Sequence, residues 1–377
     1  MNLSTRKTQL NFNNVMNLLK KDLVLVIASV LAIISCFFNT PKLEYIDFKV
    51  LALLFNLMII VAAFKDFNLF DYIATKILSK CTSYKSLSFT LVAITFCSAM
   101  IITNDVALLT FVPLTLIICK KADLKSMKII ILQTLAANLG SSLTPMGNPQ
   151  NLYIYSTFNI SPFEFFKISL PLAVLSIIFL LIILLKDKNF ELSVELNHRE
   201  APNKKKIALY STVFILILLS VFHLIDYRII FILTMITVLF NDPKLFKKVD
   251  YSLIITFIAF FVFIGNISAL DSVKNFMTGI LATKESTYFA SITASQFISN
   301  VPATILISPF IEYYKELLLG VNVGGLGTLI ASLASVISYK LYISEYPDDN
   351  KEFIKSFTFY NILGLIILIP LMYLLIK

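Results

Sequence analysis

The sequence predicts an all-α polytopic membrane protein with two inverted-topology repeats, about nine transmembrane helices and two re-entrant hairpins. Of the 377 residues, 58% are hydrophobic and 15% are charged. A soluble domain is about 45–50% apolar and about 25% charged. The mean hydropathy is +0.83, and the apolar residues fall in runs near the ~20 residues that a helix needs to cross a bilayer. Two polar interruptions, at matching places in the two halves, predict the repeats.

The predicted spans follow one another along most of the chain. They cover residues 23–39, 46–64, 126–155, 166–186, 206–225, 227–240, 251–267, 320–342 and 353–376. Segments 66–80 and 268–282 mix charged with apolar residues at helical spacing, which is typical of helices along a membrane surface. After each of these comes a segment split at its middle, 86–119 and 286–312. Each arm is expected to be too short to cross, so both segments are predicted to be hairpins with tips at mid-membrane, where bare backbone must line a protein cavity.

A polar pattern occurs twice and defines the repeats. Its first copy comprises Asn138, Gly140, Thr144, Asn148, Asn151 and Tyr155, and its second comprises Asn322, Gly324, Thr328, Ser332, Ser335 and Tyr339. Every pair is separated by the same 184 residues, as Asn138 is from Asn322. Interrupted apolar segments at corresponding positions of two halves indicate the binding site of a secondary transporter.

The predicted organisation has four parts. These are a cytoplasmic N-terminal segment (1–22), a first repeat (23–186) with hairpin 86–119 and broken helix 126–155, a cytoplasmic linker (187–205), and a second repeat (206–377) with hairpin 286–312 and broken helix 320–342. The linker is charged and is expected to be mobile, without a soluble domain.

The distribution of basic residues predicts the orientation. Lysines cluster on one side, as in 120–128 and 204–206, whereas the opposite loops carry few basic residues, among them Lys42 and Arg228. Because cytoplasmic loops are enriched in Lys and Arg, the N-terminus is expected in the cytoplasm of a multi-pass protein of the cytoplasmic (inner) membrane. The first hairpin then opens from the cytoplasmic side and the second from the outside. The formal charge of +9 lies in these loops and forms no basic face with interleaved aromatics, so the partner is the lipid bilayer and no nucleic acid is expected.

The hairpin tips and the helix breaks hold the candidate site. Polar residues at the tips are good helix caps, and a capped helix start at a cavity attracts an anion. Glycines and prolines at the breaks free carbonyl groups that can coordinate a cation. The substrate-binding candidates are Thr103, Asn104, Asn148, Ser299, Asn300, Thr304, Thr328 and Ser332, and the ion-coupling candidates are Asp105, Asn104, Thr144, Gly147, Asn300, Gly324 and Gly327. The same residues would also suit capped arms and kinked, tightly packed helices without a ligand.

Asp105 is the one carboxylate that the sequence places deep in the membrane. Inserting an Asp there costs on the order of 2.5–3.5 kcal/mol, so it should pair or take up a proton. We therefore expect it to couple Na⁺ or H⁺ to transport. With only two histidines and no CxxC cysteine pair, no cofactor is expected, and no metal other than Na⁺.

The chain resembles the ion transporter superfamily, and within it the citrate-transporter-like permeases, which are related to divalent anion–sodium symporters and arsenite permeases. The segments that carry the resemblance are TNDVALLTFVPLTL (103–116), ANLGSSLTPMGNPQNLY (137–153), SQFISNVPATILISPF (295–310) and GVNVGGLGTLIASLASVISYK (320–340). The resemblance covers residues from about 45 to 360 and implies a homodimer in which a transport domain slides against a scaffold, an elevator-type mechanism. The first repeat is one span shorter than the pattern of the divalent anion symporters.

In the divalent anion symporters, a Ser-Asn-Thr motif at both tips binds substrate carboxylates and flanks the sodium sites. Asn104, Asn300 and Ser299 match that motif here, whereas Asp105 and Val301 replace its third residue. An acid at the first tip would repel a polyanion unless a cation or a proton neutralises it.

These features predict a secondary active transporter for a small anion, organic or inorganic, driven by Na⁺ or H⁺. The alternative on the same fold is a sodium/proton antiporter or an arsenite-type permease, which Asp105 favours. An intramembrane enzyme would need a nucleophile–base pair or metal ligands at membrane depth, and the sequence offers neither. A channel would have no need of two inverted, dead-ended hairpins. The chain is therefore not expected to be an enzyme.

Overall fold

The computed structural model describes residues 23–191 and 203–377. Seventeen α-helices and short turns account for nearly all of this chain. The helices are α1 (Leu23–Ser35), α2 (Phe48–Asp66), α3 (Leu69–Leu78), α4 (Tyr84–Ile102), α5 (Asn104–Lys121), α6 (Met127–Ser141), α7 (Pro149–Thr157), α8 (Pro162–Leu185), α9 (Lys204–Val221), α10 (Tyr227–Asn241), α11 (Tyr251–Ser268), α12 (Asp271–Ile280), α13 (Lys284–Ile298), α14 (Asn300–Ile307), α15 (Tyr314–Gly324), α16 (Leu333–Glu345) and α17 (Asn350–Ile376). The predicted N-terminal segment 1–22 and residues 192–202 of the predicted linker lie outside the described residues.

Several of these helices have the properties of membrane spans. Within the described residues, five segments are long and apolar enough to cross a bilayer: Phe48–Asp66, Tyr84–Ile102, Pro162–Leu185, Tyr251–Ser268 and Pro347–Ile376. Four of them coincide with predicted spans. The prediction of an all-helical polytopic membrane protein is confirmed, while the number of crossings and the inverted orientation of the halves remain predictions.

The remaining segment, Tyr84–Ile102, is helix α4, the first arm of the first hairpin. Its 19 residues extend about 28 Å at ~1.5 Å per residue, close to the ~30 Å of the hydrocarbon core. Our expectation that every hairpin arm is too short to cross is therefore wrong for α4. Ser83 caps this helix by accepting a hydrogen bond from the Ser86 N–H group, and so the arm begins before residue 86. The arms of the second hairpin are shorter, with 15 residues in α13 and eight in α14.

The described chain divides into two compact units, which cut across both predicted halves. One unit contains α1 and α11, which pack against each other. The amide of Asn266 donates to Ser35 Oγ at 3.1 Å. At Gly265 a Cβ atom would come within 2.2 Å of the Tyr45 ring, so only glycine allows this ring to lie against α11. The other unit contains both hairpins and both broken helices, and the candidate site lies in it.

The described start of the predicted linker is attached to the first hairpin. The Tyr84 N–H group donates to the Phe190 carbonyl at 3.0 Å, and the two rings stack with centroids 5.0 Å apart. Asp187 forms an ion pair with Lys128. Residues 187–191 of the predicted linker therefore contact the first hairpin and its broken helix, and the mobility of the linker remains a prediction.

Each hairpin packs its first arm closely against a broken helix, and glycine makes the approach possible. At Gly140 of α6, a Cβ atom would lie 2.4 Å from the Phe96 carbonyl oxygen on α4. At Gly324 of α15, it would lie 2.9 Å from the Ile292 Cα atom on α13. The two glycines are equivalent in the repeated pattern, and these contacts bring the hairpin tips to the helix breaks.

Candidate functional site

The two hairpin tips share one unusual backbone conformation. Thr103 has φ 72° and ψ 149°, and Ser299 has φ 71° and ψ 153°. Residues other than glycine rarely adopt this region, at a cost of about 1–3 kcal/mol that proteins tolerate mainly at functional sites. Each tip is followed at once by a helix, α5 beginning at Asn104 and α14 at Asn300. The two arms of each hairpin contact each other, so the chain turns back at both positions.

The predicted helix breaks are also present. Helix α6 ends at Ser141 and α7 begins at Pro149, with the Asn148 side chain capping α7 by accepting from the Asn151 N–H group at 2.9 Å. In the second half, α15 ends at Gly324 and the chain turns through Gly327 at φ 108° before α16 begins. Both breaks therefore leave non-helical backbone beside a hairpin tip.

Asn138 of α6 joins the first tip to the broken helix of the second half. Its Oδ1 atom accepts hydrogen bonds from Asn104 Nδ2 at 3.2 Å and from Ser332 Oγ at 2.9 Å. Its Nδ2 atom donates to Ser335 Oγ at 3.2 Å. All four side chains are buried, so the bonds satisfy polar groups that would otherwise be costly to bury.

Asn322 of α15, the counterpart of Asn138, makes the equivalent bonds to the broken helix of the first half. Its Nδ2 atom donates to Asn151 Oδ1 at 2.7 Å, and its Oδ1 atom accepts from Asn148 Nδ2 at 3.2 Å. Under the 184-residue spacing, the two partners of Asn322 correspond to the two serine partners of Asn138. Exchanging the halves thus exchanges the two sets of contacts, which is the pattern of a two-fold, self-complementary interface.

The two tips differ in how their asparagines are bonded. The Asn104 main-chain N–H group donates to the Gly147 carbonyl at 3.0 Å, and its side-chain amide is bonded to Asn138. Asn300 is 4% exposed, and its Oδ1 atom accepts only a long bond of 3.4 Å from Ser299 Oγ. Across the described residues we find no acceptor for Asn300 Nδ2, which adjoins Gly325, where a Cβ atom would lie 3.0 Å away. The second tip therefore offers an amide donor for which the described residues provide no acceptor.

Thr328 and Gln296 illustrate a contact that the sequence analysis missed. Gln296 Nε2 donates to the carbonyls of Gly324 at 2.8 Å and Leu326 at 2.9 Å, and its Oε1 atom accepts from the Thr328 N–H group at 3.0 Å. The Thr328 hydroxyl donates to the Gln296 carbonyl at 2.9 Å, as the Thr144 hydroxyl donates to Met100. Thr328 is thus a tether between hairpin and break. The signal for Gln296 was the one side-chain amide in a hairpin arm whose other polar residues are mainly Ser and Thr.

A second glutamine, which is fully buried, also escaped the sequence analysis. Gln133 of α6 is fully buried, donates through Nε2 to Thr95 Oγ1 at 3.0 Å and accepts from Thr115 Oγ1 at 2.8 Å. It thereby ties both arms of the first hairpin to the first broken helix. Its role is structural, because all three side chains are mutually satisfied.

The remaining candidates lie around the tips. The Thr304 hydroxyl is fully buried and donates to the Asn300 carbonyl at 2.7 Å. Asp105 is half-buried in the first turn of α5, and its N–H group donates to Asn104 Oδ1 at 2.9 Å. The carbonyl groups of Gly147 and Gly324 each accept one hydrogen bond, which leaves one lone pair on each for a cation.

The site is polar without a fixed positive charge. In the described chain, the hydrogen bonds of the candidate asparagine, serine and threonine side chains come from other amides, hydroxyls and backbone groups and not from Lys or Arg, and no group of three or more His, Cys, Asp or Glu residues there could hold a metal ion. Amides, hydroxyls and helix starts are therefore the groups available for recognition.

Polar hairpin tips beside interrupted apolar helices, in a polytopic helical protein, are typical of a membrane transporter. The chain belongs to the citrate transporter family, which it matches over residues 14–316. It is 36% identical over 299 residues to an uncharacterized transporter of Methanocaldococcus jannaschii, covering 78% of this chain and 81% of that protein. It is 28% identical over 305 residues to the inner membrane protein YbiR of Escherichia coli, covering 78% and 80%. A putative transporter arsB of Dictyostelium discoideum is 29% identical over 140 residues, covering 37% and 25%.

Proposed function

We propose that this protein is a secondary active transporter that moves a small anion, a carboxylate or an inorganic oxyanion, in symport with Na⁺ or H⁺. The observation that carries the proposal is the pair of hairpin tips. At matched positions, both tips hold a non-glycine residue at φ near 71° immediately before an asparagine that begins a helix. Strained backbone of this kind persists where function requires a particular arrangement of donors.

Substrate recognition is assigned mainly to the second tip. The Asn300 amide has no acceptor within the described chain, and the helix start behind it favours negative charge. Asn104 is already bonded to Asn138 and Gly147, so we assign it a supporting role. Ser299, Thr304, Asn148 and Ser332 also belong to the proposed site. Without an arginine to form a bidentate pair with a carboxylate, such a site suits an anion of low charge or one that binds together with a cation.

Ion coupling is assigned to the first tip. Asp105 supplies a carboxyl group at the start of α5, and the Gly147 carbonyl lies against the same tip through its bond with Asn104. Carbonyl groups released at an unwound segment are the usual ligands of Na⁺ in transporters of this kind. Thr144, Gly324 and Gly327 complete the proposed ion-coupling set.

The mechanism that fits these contacts is of the elevator type. The bonds of Asn138 and Asn322 run between the broken helices of the two halves, so both breaks are expected to move as one body. A rocking movement of one half against the other would have to break these buried bonds in every cycle. The resemblance to the divalent anion symporters further suggests a homodimer in the cytoplasmic membrane, with a cytoplasmic N-terminus.

The test is uptake by proteoliposomes containing the purified full chain. A panel of radiolabelled carboxylates and oxyanions, citrate and arsenite among them, is offered with a Na⁺ gradient, a H⁺ gradient or neither. We expect one class to accumulate only with one of the gradients, and we expect Asn300→Ala to raise KM for it at least tenfold. The control is Asn275→Ala at an exposed position on α12. Normal uptake by Asn300→Ala would refute the assignment of the second tip.

The alternative is a sodium/proton antiporter or an arsenite-type permease, favoured by Asp105 and by the similarity to the putative arsB transporter. Na⁺-driven proton flux that needs no anion, and that Asp105→Asn abolishes, would support the antiporter. Movement of arsenite alone within the panel would support the permease. Anion-stimulated Na⁺ flux would instead support the symporter.

A further inference from the structure

A cavity of about 600 Å³ lies where the starts of α8, α13 and α15 meet the end of α17. None of the candidate transport residues lines it. Its charged lining consists of Lys167, Lys284, Lys315, Glu164 and Glu316. A cavity lined by both signs of charge can accept a ligand that carries both signs of charge.

The charged groups pair only in part. Glu164 accepts a hydrogen bond from the Tyr314 hydroxyl at 2.5 Å and lies 3.6 Å from Lys315 Nζ, so this carboxylate and one lysine are satisfied. Within the described residues, Lys167, Lys284 and Glu316 have no ion pair. Glu316 is only 4% exposed, and its carboxyl group has no hydrogen bond from any described residue. Glu316 lies in the first turn of α15 and lines the cavity, so its carboxyl group is available to accept hydrogen bonds from a cationic ligand group.

The place of the cavity in the fold identifies the kind of ligand. It lies at the N-terminal end of one membrane-span segment, Pro162–Leu185, and at the C-terminal end of another, Pro347–Ile376. The ends of spans lie at the depth of the lipid headgroups. Phe163 and Leu375, which line the cavity, are 80% and 59% exposed. Apolar side chains at this depth offer contacts to acyl chains rather than to a water-soluble molecule.

We propose that this cavity binds the headgroup of a membrane lipid that carries a phosphate and a primary ammonium group, as phosphatidylethanolamine does. Lys167 and Lys284 bind the phosphate, assisted by the starts of three helices. Glu316 accepts hydrogen bonds from the ammonium group, and Phe163 and Leu375 contact the acyl chains. The site is independent of the transport site proposed above.

The test uses the delipidated full chain in detergent, titrated with short-chain phosphatidylethanolamine, phosphatidylglycerol and phosphatidylcholine and with free O-phosphoethanolamine. The thermal unfolding midpoint reports apparent affinity, because a ligand that binds only the folded state raises it. We expect phosphatidylethanolamine to bind at least fivefold more tightly than the other lipids. A quaternary ammonium cannot donate hydrogen bonds to Glu316, and phosphatidylglycerol has no ammonium group.

Two variants test the contacts to the ammonium group and to the phosphate separately. Glu316→Gln should remove the preference for phosphatidylethanolamine, whereas Glu312→Gln, at an exposed position in the preceding turn, should leave it intact. Lys284→Gln should lower the apparent affinity for all three phosphate-containing lipids at least threefold. Because Lys284 is exposed, this variant remains informative if Glu316→Gln fails to fold. Equal binding of all three lipids by the unmodified chain, or an unchanged preference in Glu316→Gln, would overturn the proposal. Free O-phosphoethanolamine binding as tightly as the lipid would also overturn it, in favour of a soluble zwitterion.

Discussion

Replacing Asn138 by alanine should destabilise the protein by an amount that the hydrogen bonds predict. The side chain makes three bonds of 3.2 Å or less, to Asn104, Ser332 and Ser335. An interhelical hydrogen bond within a membrane contributes about 0.6 kcal/mol on average, so their loss should lower the free energy of unfolding by about 2 kcal/mol. Asn322→Ala loses two bonds across the halves and should cost about 1 kcal/mol on the same scale.

The assay is equilibrium unfolding of the purified chain in mixed detergent micelles, followed by circular dichroism. A double-mutant cycle of Asn138→Ala with Ser335→Ala isolates one bond, with an expected coupling of about 0.6 kcal/mol. The exposed Asn275→Ala variant is the control, and it gives the change in unfolding free energy caused by an Asn→Ala substitution outside the network. If Asn138→Ala costs no more than this control, the buried amide network does not stabilise the fold and the reasoning is refuted.

Three further changes test other contacts. Ser299→Gly should raise the unfolding free energy by about 1 kcal/mol, because glycine adopts a φ of 71° without strain; a destabilised variant would contradict this. Gln296→Leu loses its bonds to Gly324, Leu326 and Thr328 and should cost about 2 kcal/mol by the same assay, whereas the exposed Thr293→Ala on the same helix should not. Desolvation and the nearby Lys49 lower the pKa of His223, so its protonation favours the unfolded chain and stability should fall as pH drops through about 6.5. The unfolding midpoint is measured at pH 7.5 and at pH 5 for the unmodified chain and for His223→Gln. The variant should lack the part of the decrease that comes from His223, and the same decrease in both proteins would contradict the prediction.

The local features of the fold could be predicted because each depends on neighbouring residues. Pro149 and the Asn148 cap mark the start of α7, and apolar runs mark the spans. The tips could be located because a polar residue interrupts an apolar segment there. The conformation shared by Thr103 and Ser299 could not be predicted, because neither residue favours positive φ.

The partners of the polar residues depend on packing between distant segments. The pattern places Asn138 and Ser335 in separate repeats, and only the arrangement of α6 against α16 brings them together. Thr328 is polar and stands at a break, so sequence alone could not distinguish a ligand from a tether to Gln296. The length of α4 was underestimated because Ser83, a helix cap, lies beyond the apolar run.

The exchange of contacts between Asn138 and Asn322 has a consequence for the ancestry of the chain. Each half carries a surface that complements a copy of itself, so two copies of one half could associate through the same bonds. With the inverted orientation that the basic residues predict, these two copies would lie in the membrane in opposite orientations, and fusion of two such copies would give a chain with this repeat. The two surfaces are no longer identical in this chain, since Ser332 and Ser335 in the second half stand where the first half has Asn148 and Asn151.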